Sequence, residues 1–191
     1  MGHPDEVIEY LAAGNERYAS GLAGPRDYAA ERAQTYQLQE PIAAVLGCAD
    51  SRVPVEQVFD CGLGDLIVVR TAGHVADDAV LRTLQFAVEE LGIGAIVVLG
   101  HTNCAAVAAA SHPVPAGSAA DWIAGRVRMS LISATDDEPS APEIAHARQT
   151  ARKVGDIGAV REGVARGSLT VRSALYDLET GRVRWLDEPS A

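Results

Sequence analysis

Three side chains in this chain have the donor chemistry of a divalent-metal site: Cys48, His101 and Cys104. Zinc takes thiolates and neutral imidazoles as ligands. It usually has four protein ligands where it is structural and three, with one position open, where it is catalytic. Two cysteines and one histidine therefore describe an open site, in which the metal acidifies a water into a nucleophile near neutral pH. Two thiolates cancel the formal charge of Zn²⁺. The acidification is then expected to be weaker than in an all-histidine site, and the working pH to lie on the alkaline side. Asp50 and Arg52 follow shortly after Cys48. In a tight loop the guanidinium can hold the carboxylate ionised and oriented. Asp50 then either accepts a hydrogen bond from metal-bound water, or displaces that water and closes the site as a fourth ligand.

Those residues need elements that bring them together. Short apolar runs at 42–46, 66–69 and 95–99 predict strands buried in a parallel sheet. Asp77 or Asp78 can cap a helix over 77–91, whose stripe of Val80, Leu81, Leu84, Val88 and Leu91 makes the connection a βαβ crossover. The fold class expected is thus α/β, an open and mostly parallel sheet flanked by helices. In such sheets ligands bind beyond the carboxyl ends of the strands, and Cys48 and His101 each follow a buried strand. Cys104 stands three residues after His101, a spacing that reaches one ion if a helix starts there. The alanine-rich run 104–110 favours such a helix, whose N-terminus would favour the Cys104 thiolate.

The rest of the chain reads as one domain: an N-terminal helical arm over 1–38 and a zinc-binding α/β core over 39–191. The arm carries helical patterns at 4–20 and 28–37, the second of them polar and suited to a surface or a partner subunit. The segment 111–142 is irregular, with a helix at 122–132. Helices at 143–153 and 157–165 follow, then a strand, a turn and a strand over 169–178 and 182–186. A net charge of −10 argues against nucleic acid or an anionic membrane as partner. No apolar run approaches the roughly 20 residues that span a bilayer, and the first ten residues hold no apolar signal core. Three cysteines make no even disulfide framework, so a cytoplasmic protein is expected. Cys61 reads as a core or interface thiol. His74 reads as a loop histidine bonded to backbone, with a proton shuttle as the alternative, and His3, His112 and His146 read as surface residues.

Cys48-Ala49-Asp50-Ser51-Arg52, followed far downstream by His101-Thr102-Asn103-Cys104, resembles the paired signature of the β-class carbonic anhydrases. The resemblance continues through Gly62-Leu63-Gly64-Asp65, Val69-Arg70-Thr71-Ala72-Gly73-His74 and Ala174-Leu175-Tyr176-Asp177-Leu178, and includes Gly14-Asn15 in the arm. It implies reversible hydration of CO₂ to bicarbonate with one Zn²⁺ per subunit, Asp50 and Arg52 as the catalytic dyad, and a homodimer or homotetramer. Gln39 matches a family glutamine that hydrogen-bonds substrate across the subunit interface. Phe86 takes the place of an aromatic residue, commonly tyrosine, that lines the apolar side of the pocket. Ala105 stands where the family usually has a glycine whose N–H lies near the substrate. Val45 replaces the tryptophan of members with an allosteric bicarbonate pocket, so that pocket is not expected. The alternatives are a hydrolase of carbonyl sulfide or carbon disulfide, which Ala105 keeps open, and a non-catalytic zinc-binding relative closed by Asp50.

Overall fold

The computed structural model describes residues 3–132 and 140–186; the stretch 133–139 of the expected irregular segment lies outside them. Apolar runs become strands here because a parallel strand covered on both faces must bury every side chain. β1 (Ala43–Cys48) and β3 (Ala95–His101) are buried from end to end. With β2 (Leu66–Thr71), β4 (Thr170–Tyr176) and β5 (Val183–Trp185) they form one sheet in the order β2-β1-β3-β4-β5. All pairs are parallel except the closing β4–β5 hairpin. The fold is α/β, as the pattern of runs implies.

Alternation along the strands builds two cores. Ala43, Val45, Val97 and Leu99 face Leu11 of α1 (Pro4–Ala19) together with Val58 and Phe59, at the end of α3 (Val55–Val58). Ala44, Leu46, Ile96 and Val98 face the other way. They meet Leu84 of α4 (Asp78–Glu89), Val154 of α7 (Ala141–Gly155) and Val160 of α8 (Gly158–Ala165). Each fully buried leucine or valine contributes about 2 kcal/mol. Among the described residues no helix is long and apolar enough to cross a membrane.

Gly14 and Asn15 explain how α1 docks. A Cβ on Gly14 would lie 1.9 Å from the Phe59 carbonyl oxygen, so only glycine lets the helix approach so closely. The Asn15 amide donates to the carbonyls of Val58 (3.0 Å) and Gly181 (2.9 Å), and its oxygen accepts from Val183 N–H (2.8 Å). α2 (Tyr28–Thr35) buries none of its residues. It is tethered at Glu31, which pairs with Arg26 at 2.9 Å and accepts from Leu63 N–H at 3.0 Å.

The chain leaves β1 for β2 on one side and returns past β1 to lay β3 on the other. The carboxyl ends of β1 and β3 therefore flank the point where the strand order reverses, which in open parallel sheets is where ligands sit. α5 (Ala105–Ala110) and α6 (Ala119–Leu131) pack over this end, with Val107, Ala124 and Val127 around Cys48 and Cys104.

Candidate metal centre

Cys48 is the last residue of β1 and His101 the last of β3. Cys104 is reached through a turn rather than a helix. Asn103 takes a left-handed φ of 54°, and Cys104 is the extended residue capping α5. The expected i, i+3 helical pairing is thus corrected, since the helix begins only at Ala105. The turn achieves the same convergence: one ligand atom from each of the three residues lies within 4.8 Å of the others, and all three residues are buried.

The donor set fits zinc. The two sulfurs are 4.0 Å apart. Zinc–sulfur bonds of about 2.3 Å at a tetrahedral angle would put them about 3.8 Å apart. His101 Nδ1 lies 2.9 Å from the Thr102 carbonyl, which can only accept, so the ring proton belongs on Nδ1 and the lone pair on Nε2. That Nε2 is buried and without a hydrogen-bond partner among the described residues. A buried imidazole lone pair beside two sulfurs is a donor that a metal would take up.

Electrostatics separate the two thiols before any metal arrives. The Cys104 thiol bonded to Cys48, then His101 and the backbone N–H groups of Asp50 and Gly73, outweigh burial and lower the Cys48 pKa to about 4. Gly73 N lies 3.3 Å from this sulfur. Cys104 shifts upward, because it serves the Cys48 sulfur as donor and is buried beside it. The N–H groups at the start of α5 oppose that shift without overcoming it, so the helix start alone does not ionise Cys104. A divalent cation between the sulfurs would reverse the balance.

Asp50 stands at the mouth. Arg52 grips it with both arms of its fork, Nε to Oδ1 at 2.9 Å and Nη2 to Oδ2 at 2.7 Å, and its backbone N–H adds a bond to Oδ1 at 2.9 Å. These bonds hold the carboxyl well below the usual carboxylate range. Arg70 of β2 staples the loop from below by donating to the carbonyls of Cys48 and Asp50. Oδ2 lies 3.9 Å from His101 Nε2, beside the ligand set and beyond hydrogen-bonding distance of it.

The family profile for carbonic anhydrase matches residues 43–183. Carbonic anhydrase 2 of Mycobacterium tuberculosis is 40% identical over 190 residues, covering 94% of this chain and 91% of the relative. The chain belongs to the β-carbonic anhydrase family. A carbonic anhydrase of Mycolicibacterium smegmatis is 39% identical over 191 residues, covering 95% of this chain and 92% of the relative. Among solved structures, the Coccomyxa β-carbonic anhydrase in complex with acetazolamide superposes with a TM-score of 0.77. It shares 25% identity and covers 96% of this chain and 87% of that one. A tetrameric β-carbonic anhydrase of Sordaria macrospora shares the fold with a TM-score of 0.71 at 22% identity, over 97% of this chain and 100% of that one.

Within this carbonic anhydrase fold the remaining expected residues are spread out. Ala105 is exposed next to Cys104, Gln39 is exposed ahead of β1, and Phe86 is 53% exposed on α4. His3 and His112 are exposed, as expected, while two other histidines are not where the sequence reading puts them. His146 is buried on α7, 3% exposed, and bonds Ser130 and the Gly73 carbonyl. His74 is fully buried. Instead of bonding backbone, neither of its ring nitrogens has a hydrogen-bond partner among the described residues. Glu143, also on α7 and buried, accepts from Cys104 N–H at 3.4 Å and goes unremarked in the sequence reading. A signal existed for both α7 residues: Glu143, His146 and Thr150 fall on the same helical stripe as Ala147, Ala151 and Val154, and polar residues on a buried stripe mark a neighbour that needs them.

Proposed function

We propose that this protein catalyses the zinc-dependent reversible hydration of CO₂ to bicarbonate and a proton, with Cys48, His101 and Cys104 as the zinc ligands. The observation that carries this reading is the open three-ligand set with an ionised, doubly held Asp50 at its mouth. Zinc supplies the Lewis acidity that makes a water nucleophilic near neutral pH. Asp50 would accept a hydrogen bond from the attacking water and fix its orientation. Arg52 keeps the acceptor ionised, because a carboxylate in a bidentate guanidinium grip neither protonates nor rotates easily. Both Asp50 oxygens already have donors, which favours the open state over one in which Asp50 is a fourth ligand.

CO₂ is apolar and bicarbonate an anion, so the substrate needs an apolar wall and a few fixed donors. Phe86 and Ala105 serve the first need and the Gln39 amide the second. Gln39 does so across an interface between subunits in a homodimer or homotetramer. The exposed Tyr28 of α2, and the exposed Tyr36 and Leu38 just before Gln39, support an arm covered by a second copy. We place the enzyme in the cytoplasm, where its buried free thiols stay reduced.

Stopped-flow CO₂ hydration by zinc-replete protein tests the reading. Turnover is expected to rise between pH 7 and 9 and to vanish in Cys48→Ser. A profile already flat at pH 6 contradicts the weak acidification expected of two thiolates. Absence of turnover at every pH from 7 to 9 overturns the function.

A further inference from the structure

Behind Cys48 the backbone is held in an unusual shape. Gly73 and His74 are consecutive residues with positive φ, 63° and 42°. Glycine accepts that region freely, whereas histidine occupies it only where its surroundings insist. The turn is wedged in place, since a Cβ on Gly73 would lie 2.9 Å from Ala106 Cβ on α5. What the shape achieves is plain at its two ends. The Gly73 N–H points at Cys48 Sγ, 3.3 Å away, and the Gly73 carbonyl points back at His146 Nε2, 2.7 Å away.

The hydrogen-bond roles follow without ambiguity. A carbonyl only accepts, so Nε2 of His146 carries the proton. Burial lowers the His146 pKa, so the ring is neutral and Nδ1 is an acceptor. Ser130 Oγ, 2.8 Å from Nδ1, donates to it. The His74 ring lies against the His146 ring, centroids 4.4 Å apart and planes at 33°, and closes the remaining side. A directed chain thus runs from Ser130 through His146 and the Gly73 peptide to the Cys48 sulfur, bridging α6, α7 and the end of β1.

We infer that His146 is a positioning residue for Cys48: by pinning the Gly73 peptide it keeps an N–H on the sulfur and so sets how that thiolate binds a metal. The inference rests on the reading of Cys48, His101 and Cys104 as zinc ligands. An N–H bonded to a thiolate draws charge from it. Groups that orient metal ligands in this way typically change metal affinity about 10–100-fold when removed. A histidine serving only to fill space on α7 would have no such reach.

Cobalt substitution reads the sulfur directly. The thiolate-to-cobalt charge-transfer bands of the full chain are compared in the wild type, His146→Leu, His146→Gln and Ser130→Ala, alongside zinc affinity by chelator competition. His146→Leu removes the donor to Gly73, so its bands are expected at longer wavelength and its zinc affinity about 10-fold weaker. His146→Gln retains an N–H at the same reach and is expected to restore most of both. Ser130→Ala releases the tautomer and is expected to shift the bands the same way by less. A folded His146→Leu with unshifted bands and unchanged affinity overturns the inference. If that variant does not fold, unshifted bands in Ser130→Ala overturn it equally. Absence of thiolate bands in cobalt-loaded wild type removes the ligand reading and this inference together. Bands that behave as expected in a protein without CO₂ turnover support the inference while the function fails.

Discussion

Cys48 and Cys61 are both 4% exposed, yet their surroundings drive them in opposite directions. The Cys48 pKa falls to about 4, while burial, helped by Asp65, pushes Cys61 up to about 12. Burial pushes both upward, so the outcome turns on whether other groups outweigh it. What differs is what faces the sulfur. Cys48 ends a strand at the reversal of the sheet order, where the backbone N–H groups of Asp50 and Gly73 converge on it and Cys104 and His101 stand beside it. Cys61 lies between α3 and β2, where it donates to the Phe59 carbonyl at 3.5 Å and feels the carboxylates of Asp60 and Asp65. One sulfur sits among donors that outweigh its burial, and the other has no neighbours that do. A thiol joins a cluster that could hold a metal ion by its position in the topology, and an equally buried thiol elsewhere remains core.

The strongest way to break this contrast is to make the same substitution at both places. Cys48→Ser is expected to lower zinc affinity and kcat/KM about 100-fold or more, since a hydroxyl of high pKa replaces a ligand that must be ionised. Cys61→Ser is expected to leave zinc stoichiometry and kcat/KM within about 2-fold of wild type, because no donor set surrounds it. Metal analysis and stopped-flow assays of the two purified variants check both. Equal losses in the two would show that the sulfurs share one role.

The next test moves to the packing on the Cys61 side. Gly14→Ala drives a methyl into the Phe59 carbonyl, a backbone atom that cannot swing aside. Overpacking of that kind costs about 2 kcal/mol. Urea denaturation should show this loss while zinc stoichiometry stays at one. A variant as stable as wild type would mean that α1 is loosely docked. Zinc loss would mean that the arm and the metal end are one cooperative unit.

The same contrast explains what could be read from the chain beforehand. The convergence of Cys48, His101 and Cys104 is legible because strand ends are marked by the apolar runs before them, and parallel topology carries those ends to one edge. Asp50 and Arg52 were legible because their pairing is local. The turn at Asn103 is not legible, since spacing alone cannot tell a left-handed residue from a helical one. α3 escaped notice because four residues are too few for a period to register. The pairing of His74 with His146 is illegible for a deeper reason. Their contact joins residues brought together only when α7 packs behind the 72–74 turn, and no local pattern encodes that meeting.

The finest test asks whether Cys61 is held neutral as its surroundings imply. In the native state its thiol keeps its proton up to about 12, whereas an unfolded cysteine ionises near 8.5, about the ordinary value. Between those limits the native state binds one proton more than the unfolded state. Stability then falls as pH rises, by about 1.4 kcal/mol per pH unit from this group alone. Cys61→Ala deletes that contribution and leaves the other titrating groups in place. The difference in unfolding free energy between wild type and Cys61→Ala is therefore expected to be constant below about pH 8. It should shift by about 1.4 kcal/mol per pH unit between pH 9 and 11, to the variant's advantage. Urea titrations of both proteins at pH 7, 9 and 10 measure it. Parallel stability curves across that range would mean that Cys61 ionises as freely in the native state as in the unfolded one. Burial and the nearby carboxylates would then not be holding its proton in place.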